Sequence, residues 1–283
     1  MKKQVLIAGA GVLIVALLFL LGKTTTDRKN IPEVSKKKVE SFDIQSFIIQ
    51  KRQTLSPTQI NIISRLEQDF NCQKPELQII AYNEAAAFWK DSIGSPEIYM
   101  YYIGESSKLD NSEKNLTFAA QLYLNSLRDE QNEAKLDWES SEAISLFEKA
   151  ISLNPNNDDL KVGLGSCYVF GKGRNGNPQE TMKGIQELLG VVRKDSLNMK
   201  AQLVLGIGGY VSGQYDKAIA RFVKVIEKEP GNVEAIVFLA DTYAAQGNKA
   251  EAIKWYNISK RFVKDPDYSK EVDNRVKMLQ ENK

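Results

Sequence analysis

The chain has 283 residues, 42% hydrophobic and 26% charged, which is enough apolar material to bury a core in one or two domains and excludes a disordered chain. Its 38 Lys plus Arg against 36 Asp plus Glu leave a formal charge of +2, so there is no bulk electrostatic case for binding nucleic acid or acidic substrates. Histidine is absent, which removes the commonest general base and metal ligand, and Cys72 and Cys167 share neither zinc-ligand nor C-x-x-C spacing, so no metal and no cofactor are expected.

In chain order, residues 1–3 form a short tail carrying Lys2 and Lys3. Residues 4–22, QVLIAGAGVLIVALLFLLG, hold no charge. That length is close to the ~20 residues with which a helix crosses the hydrocarbon of a bilayer, so it predicts a transmembrane helix. A cleaved signal peptide is the rival reading, but the run exceeds a usual signal core and no A-x-A-like site follows it. No cysteine follows either, so there is no site for a lipoprotein anchor. Residues 23–40, rich in Lys and Thr, read as a solvated tether. The flanking charges allow two orientations. Lys23, Arg28, Lys29 and Lys36-Lys37-Lys38 keep the large domain cytoplasmic under the positive-inside rule, whereas a three-residue tail with two lysines reads as a signal anchor that sends the domain across the membrane.

Over residues 41–138 the pattern is helical but irregular. Ser56-Pro57 and Lys74-Pro75 each put proline where a first helical turn tolerates its missing donor. Tyr99, Ile103 and Ser106 fit the second helix of a pair whose first helix begins at Pro75. Leu116, Ala119, Ala120 and Tyr123 fit another first helix, expected to run long because Arg128 to Trp138 inserts about eleven residues into a unit of about 34. Trp89, Tyr99, Tyr101, Tyr102 and Glu105 read as packing rather than as a ligand cage. Asn115-Leu116-Thr117 and Asn257-Ile258-Ser259 spell glycosylation triplets, but inside predicted helices, and carry no weight.

Over residues 139–266 the periodicity sharpens. Ser141 to Ile151 forms a helix that ends in Leu153-Asn154-Pro155, and Pro230 stops a later helix in the same way. Leu164-Gly165, followed by Tyr168, and Leu205-Gly206 hold one frame. Gly213-Gln214-Tyr215-Asp216-Lys217-Ala218-Ile219 with Phe222 recurs 34 residues on as Gly247-Asn248-Lys249-Ala250-Glu251-Ala252-Ile253 with Tyr256. These residues resemble the tetratricopeptide repeat (TPR), in which a small residue lets two antiparallel helices approach and an aromatic fills the space beside it. The resemblance implies an all-α fold, a TPR-type helical-hairpin solenoid preceded by an N-terminal transmembrane helix. Degenerate repeats occupy 41–138, repeats proper 139–266, and a capping helix 267–283, with Val272, Val276 and Leu279 on one side. Cys167, in an apolar helical run, is expected as a packed thiol rather than half of a disulfide.

Gly171-Lys172-Gly173-Arg174-Asn175-Gly176 spells G-x-G-x-x-G, but a helix rather than a strand precedes it, so it predicts an expanded turn and not a nucleotide cradle. Lys172 and Arg174 are left available to an acidic partner. The resemblance assigns a concave groove to the first helices, at Val162, Ser166, Val169 and Phe170, then Leu203, Ile207, Tyr210 and Val211, then Val237, Asp241, Ala244 and Ala245. Val162, Ser166, Phe170, Leu203, Ile207, Tyr210, Val237 and Asp241 are the candidate partner-binding set. They are mostly apolar and lack the Lys and Asn of TPR proteins that clamp a chaperone's C-terminal carboxylate. Such a groove receives an apolar segment of a partner or is filled by this chain's own N-terminal helices.

The expectation is a non-enzymatic, membrane-anchored TPR adaptor or scaffold with protein partners, in assembly or quality control of an envelope complex, without nucleic acid or a small-molecule substrate. Its alternative is a permanent structural subunit of a larger membrane complex with a self-filled groove. Single-anchor TPR proteins imply the bacterial inner membrane with the repeats extracytoplasmic; the flanking charges leave the cytoplasmic orientation open.

Overall fold

The computed structural model describes residues 41–174 and 177–281. The expected tail 1–3, transmembrane helix 4–22 and tether 23–40 lie outside the described residues, as do Asn175 and Gly176. Among the described residues there is no strand, and no helix is long and apolar enough to cross a membrane.

Two helices, α1 (Ile44–Arg52) and α2 (Pro57–Glu67), precede a series of helix pairs. The pairs are α3 (Pro75–Ala87) with α4 (Pro96–Asp110), α5 (Glu113–Ser126) with α6 (Glu133–Leu153), α7 (Asp158–Cys167) with α8 (Pro178–Lys194), α9 (Met199–Val211) with α10 (Tyr215–Lys228), and α11 (Val233–Ala245) with α12 (Lys249–Ser259). A last helix, α13 (Pro266–Glu281), packs on α12. Single π-helical turns, Phe88–Ile93 and Tyr168–Lys172, continue α3 and α7.

Local chemistry explains where the helices start and stop. The side chains of Asn157, Asn198 and Asn232 accept backbone N–H bonds at 3.1, 3.0 and 3.0 Å and cap α7, α9 and α11, each worth about 1 kcal/mol. Pro57, Pro75, Pro96 and Pro178 occupy first turns, where their missing N–H costs nothing. Pro155 and Pro230 follow the caps Asn154 and Glu229 and prevent the helices from continuing. Gly213 and Gly247, 34 residues apart, sit at φ +73° and +83°, the left-handed region a tight helix-to-helix turn requires and a side chain disfavours. Within the α9/α10 pair, a Cβ on Gly206 would lie 2.5 Å from the Phe222 ring, so only glycine lets these helices reach their spacing. Ala218 and Phe222, and one repeat later Ala252 and Tyr256, are buried where the 34-residue period puts them.

The core is continuous from α4 to α11, with smaller clusters under α1 to α4 and under α11 to α13. Trp89 and Tyr102 are buried in the first of these smaller clusters, with Tyr99 and Tyr101 packed against it, which accounts for the aromatic run. In the other, Val272 of α13 is buried against α11 and α12, with Val276 and Leu279 beside it. Cys167 is fully buried and free, and burial pushes its thiol pKa up.

The extra residues between Arg128 and Trp138 do not lengthen the first helix of their pair, as the sequence suggested. They form a turn and then extend the second helix, α6, to 21 residues running unbroken through position 138. The Asn132 carboxamide starts it by accepting from the Lys135 backbone amide at 3.0 Å, and Leu136 is buried in its first turns. The Trp138 ring then packs tilted against Phe42 at 5.0 Å and edge-on against Tyr123 at 5.5 Å, so the extension joins the N-terminal helices to the stack.

Candidate protein-binding groove

The first helices α5, α7, α9 and α11 follow one another along one side of the stack, and α5 and α7, α7 and α9, and α9 and α11 touch directly. Between α5, α7 and α9 runs a groove of about 770 Å³ with Leu124, Leu160, Val162, Ser166, Leu203 and Val204 on its walls. Three of the eight sequence-derived candidates, Val162, Ser166 and Leu203, therefore meet on one surface. Ser166 keeps its hydroxyl occupied by donating to the Val162 carbonyl at 2.7 Å, so its polar atom is spent within its own helix.

The other five lie elsewhere. Phe170 is covered by the Arg128 guanidinium, 4.7 Å from its ring centroid. Ile207 is 2% exposed and belongs to the core. Tyr210 packs edge-on against Phe238 at 5.9 Å. Val237 packs into the cluster that α13 closes. Asp241 accepts from the Tyr256 hydroxyl and from Arg275 of α13 at 3.3 Å. Burial raises the Asp241 carboxyl pKa, and these two donors oppose the shift.

The groove's rim is charged but internally neutralised. Arg128 and Glu234 pair at 2.6 Å across the groove, from the end of α5 to the start of α11. Lys200 and Asp159 pair at 3.6 Å. Glu113 accepts from the neutral amides of Asn154 and Asn157 at 3.0 and 2.7 Å, and its charge is matched in number by Lys114, which also lines the groove. A rim paired in this way gives no sign preference to an incoming segment, and the apolar walls supply the attraction. Sequence reasoning missed Arg128, Glu234 and the α5 wall, because the register of α5 against α11 is a sum of hairpin rotations and has no local signal.

Of the glycine-rich string only Gly171 to Arg174 are described, and they form turns that follow a helix rather than a strand. Gly171 and Lys172 complete the π-helical turn after α7, and a Cβ on Gly171 would strike the Ser140 hydroxyl at 2.0 Å. The two cations expected to be available are engaged. Lys172 binds the Asp137 carboxylate at 2.5 Å and the Ser141 hydroxyl at 2.6 Å, and Arg174 donates to the Leu127 carbonyl at 2.7 Å. Both hold the turn against the end of α5 and against α6. Among the described residues no group of three His, Cys, Asp or Glu side chains could hold a metal ion.

The tetratricopeptide-repeat family model matches residues 212–270. Among solved structures the chain is similar to YrrB, described as a TPR protein with an unusual peptide-binding site, at 20% identity over 74% of this chain and 97% of that one, with a TM-score of 0.44. It is similar to MamA (residues 41 to the end) from Desulfovibrio magneticus RS-1, at 16% identity over 65% and 94% of the two chains, TM-score 0.46. It is similar to PilW, described as a widely conserved type IV pilus biogenesis factor, at 17% identity over 72% and 94%, TM-score 0.48. No curated protein is matched. The family match covers the stretch in which Gly213 and Gly247, Ala218 and Ala252, and Phe222 and Tyr256 recur in phase, so residues 212–270 of this chain are tetratricopeptide repeats.

Proposed function

We propose that the protein is a non-catalytic TPR scaffold, tethered to a membrane through residues 4–22, that holds an apolar segment of a partner protein against α5, α7 and α9 during assembly or quality control of an envelope complex. The observation that carries this reading is the groove of about 770 Å³ where Val162, Ser166 and Leu203 face Leu124, with its rim charges already paired. A concave, mostly apolar surface with a neutralised rim suits a helix or extended peptide rather than a charged metabolite. The tether would raise the groove's local concentration beside membrane partners, so that modest affinity suffices.

A second reading, a permanent subunit with a self-filled groove, draws on one observation: Arg128 already occupies the Phe170 ring and bridges to Glu234. A photoreactive residue at Leu203, cross-linked in intact membranes and analysed by mass spectrometry, separates the two. Adducts with other polypeptides are expected. Adducts confined to this chain's own helices would refute an open groove.

A further inference from the structure

We infer that a second furrow, between α8 and α10 on the second-helix side of the stack, docks an acidic amphipathic segment of a partner protein. Its two walls differ in chemistry. Along α8, Met182, Ile185 and Leu189 follow at intervals of three and four residues and present an apolar edge. Along α10, Lys217, Arg221 and Lys224 follow at intervals of four and three and present a cationic edge. These spacings keep each set on one helical face. The buried Leu205 of α9 forms part of the floor.

The furrow holds about 630 Å³ and shares Met182, Ile185 and Gln214 with an adjoining recess of about 320 Å³, so it is elongated rather than cupped. Each wall spans eight residues, about 10 Å of helix from first to last, which matches roughly two turns of a docked helix.

The charge is unbalanced where that of the first groove is paired. None of the residues lining this furrow is Asp or Glu. Lys217 donates to Gln214 at 2.8 Å and Arg221 to Gln202 at 2.5 Å, both neutral amides, so their hydrogen bonds are met while their charge is not. Met182 is 47% exposed beside them. An occupant must therefore bring carboxylates to one wall and apolar side chains to the other. This chain's own N-terminal segment carries the wrong sign: residues 23–40 hold six Lys or Arg against three Asp or Glu, and residues 4–22 hold none of either. Opposite charges along one edge and apolar contact along the other fix both orientation and register of a bound helix.

The test uses the full-length protein in detergent and two fluorescein-labelled helical peptides of about fourteen residues, with leucine at i, i+3, i+4 and i+7 and either Glu or Lys on the remaining face. The Glu peptide is expected to bind by anisotropy and the Lys peptide not. Lys217→Glu with Lys224→Glu should weaken the Glu peptide by about tenfold or more and create binding of the Lys peptide. Met182→Asp, at an exposed position that does not endanger folding, should also weaken the Glu peptide about tenfold. Lys200→Glu, a lysine of the other groove, should change it by less than roughly twofold. Absence of Glu-peptide binding, binding indifferent to the furrow variants, or an equal loss in Lys200→Glu would each overturn the assignment. So would self-association of the protein that these same variants abolish, which would make a second copy the occupant.

Discussion

Glu139 offers the sharpest test of the packing between α5 and α6. It is 1% exposed, one carboxyl oxygen accepts from the Ser126 hydroxyl at 3.0 Å, and the other has no hydrogen-bond partner among the described residues. Burial, with Glu130 and Glu97 adding to it and Ser126 and Lys135 opposing it, pushes the carboxyl pKa up from 4.5 to about 7. The folded protein thus holds this proton more tightly than the open chain does. The stabilisation is complete below about pH 4.5 and is lost as pH rises through about 7, a difference of roughly 3 kcal/mol. The background is favourable because the chain has no histidine to titrate in that window. Glu139→Gln keeps the shape and removes the charge, so at pH 8 the variant should resist urea better than the parent by roughly 2–3 kcal/mol, and at pH 5 the two should converge. Tryptophan emission reports the transition, since Trp138 is the neighbouring residue. Asp241, also raised by burial, contributes a slope of the same sign to both proteins alike. Urea midpoints of parent and variant that run parallel from pH 5 to pH 8 would refute the reasoning.

Gly206→Ala places a methyl 2.5 Å from the Phe222 ring and should cost about 2 kcal/mol in urea unfolding, while Gly213→Ala, strained only at φ +73° with open space around it, should cost about 1 kcal/mol. Arg128→Ala removes a partly exposed ion pair worth less than about 1 kcal/mol, so melting should barely move. Hydrogen exchange at residues 168–172 should nevertheless quicken once Phe170 is uncovered, and unchanged exchange would refute the Arg128 strap. A thiol reagent should modify the half-buried Cys72 in the native protein and reach Cys167 only on unfolding; two thiols reacting at one rate would contradict the burial of Cys167.

The hairpins were legible because each is a local object. Gly213 and Gly247 mark turns that need a positive φ, Pro155 and Pro230 mark helix ends, and Ala218 and Ala252 mark close approaches, each a cue local to its own repeat. The long α6 was misplaced because the run from Arg128 to Trp138 supports helix in either partner of its pair. What decides is the Asn132 cap together with Trp138 reaching back to Phe42, a contact across 96 positions. The groove follows the same division. Val162, Ser166 and Leu203 could be assigned to it from their places on the first helices. The burial of Ile207, the cover over Phe170 and the covering of Asp241 by Arg275 depend on how far each pair rotates against the next. Such rotations add along a solenoid, so a small change per repeat moves Arg128 and Glu234, three first helices apart, by the sum. The width of the groove is therefore set jointly by the α5 to α11 packing and by one weak ion pair. Substitutions deep in those interfaces, such as at Gly165 against Leu188, should alter partner affinity without touching the partner, and do so more than loss of the ion pair alone.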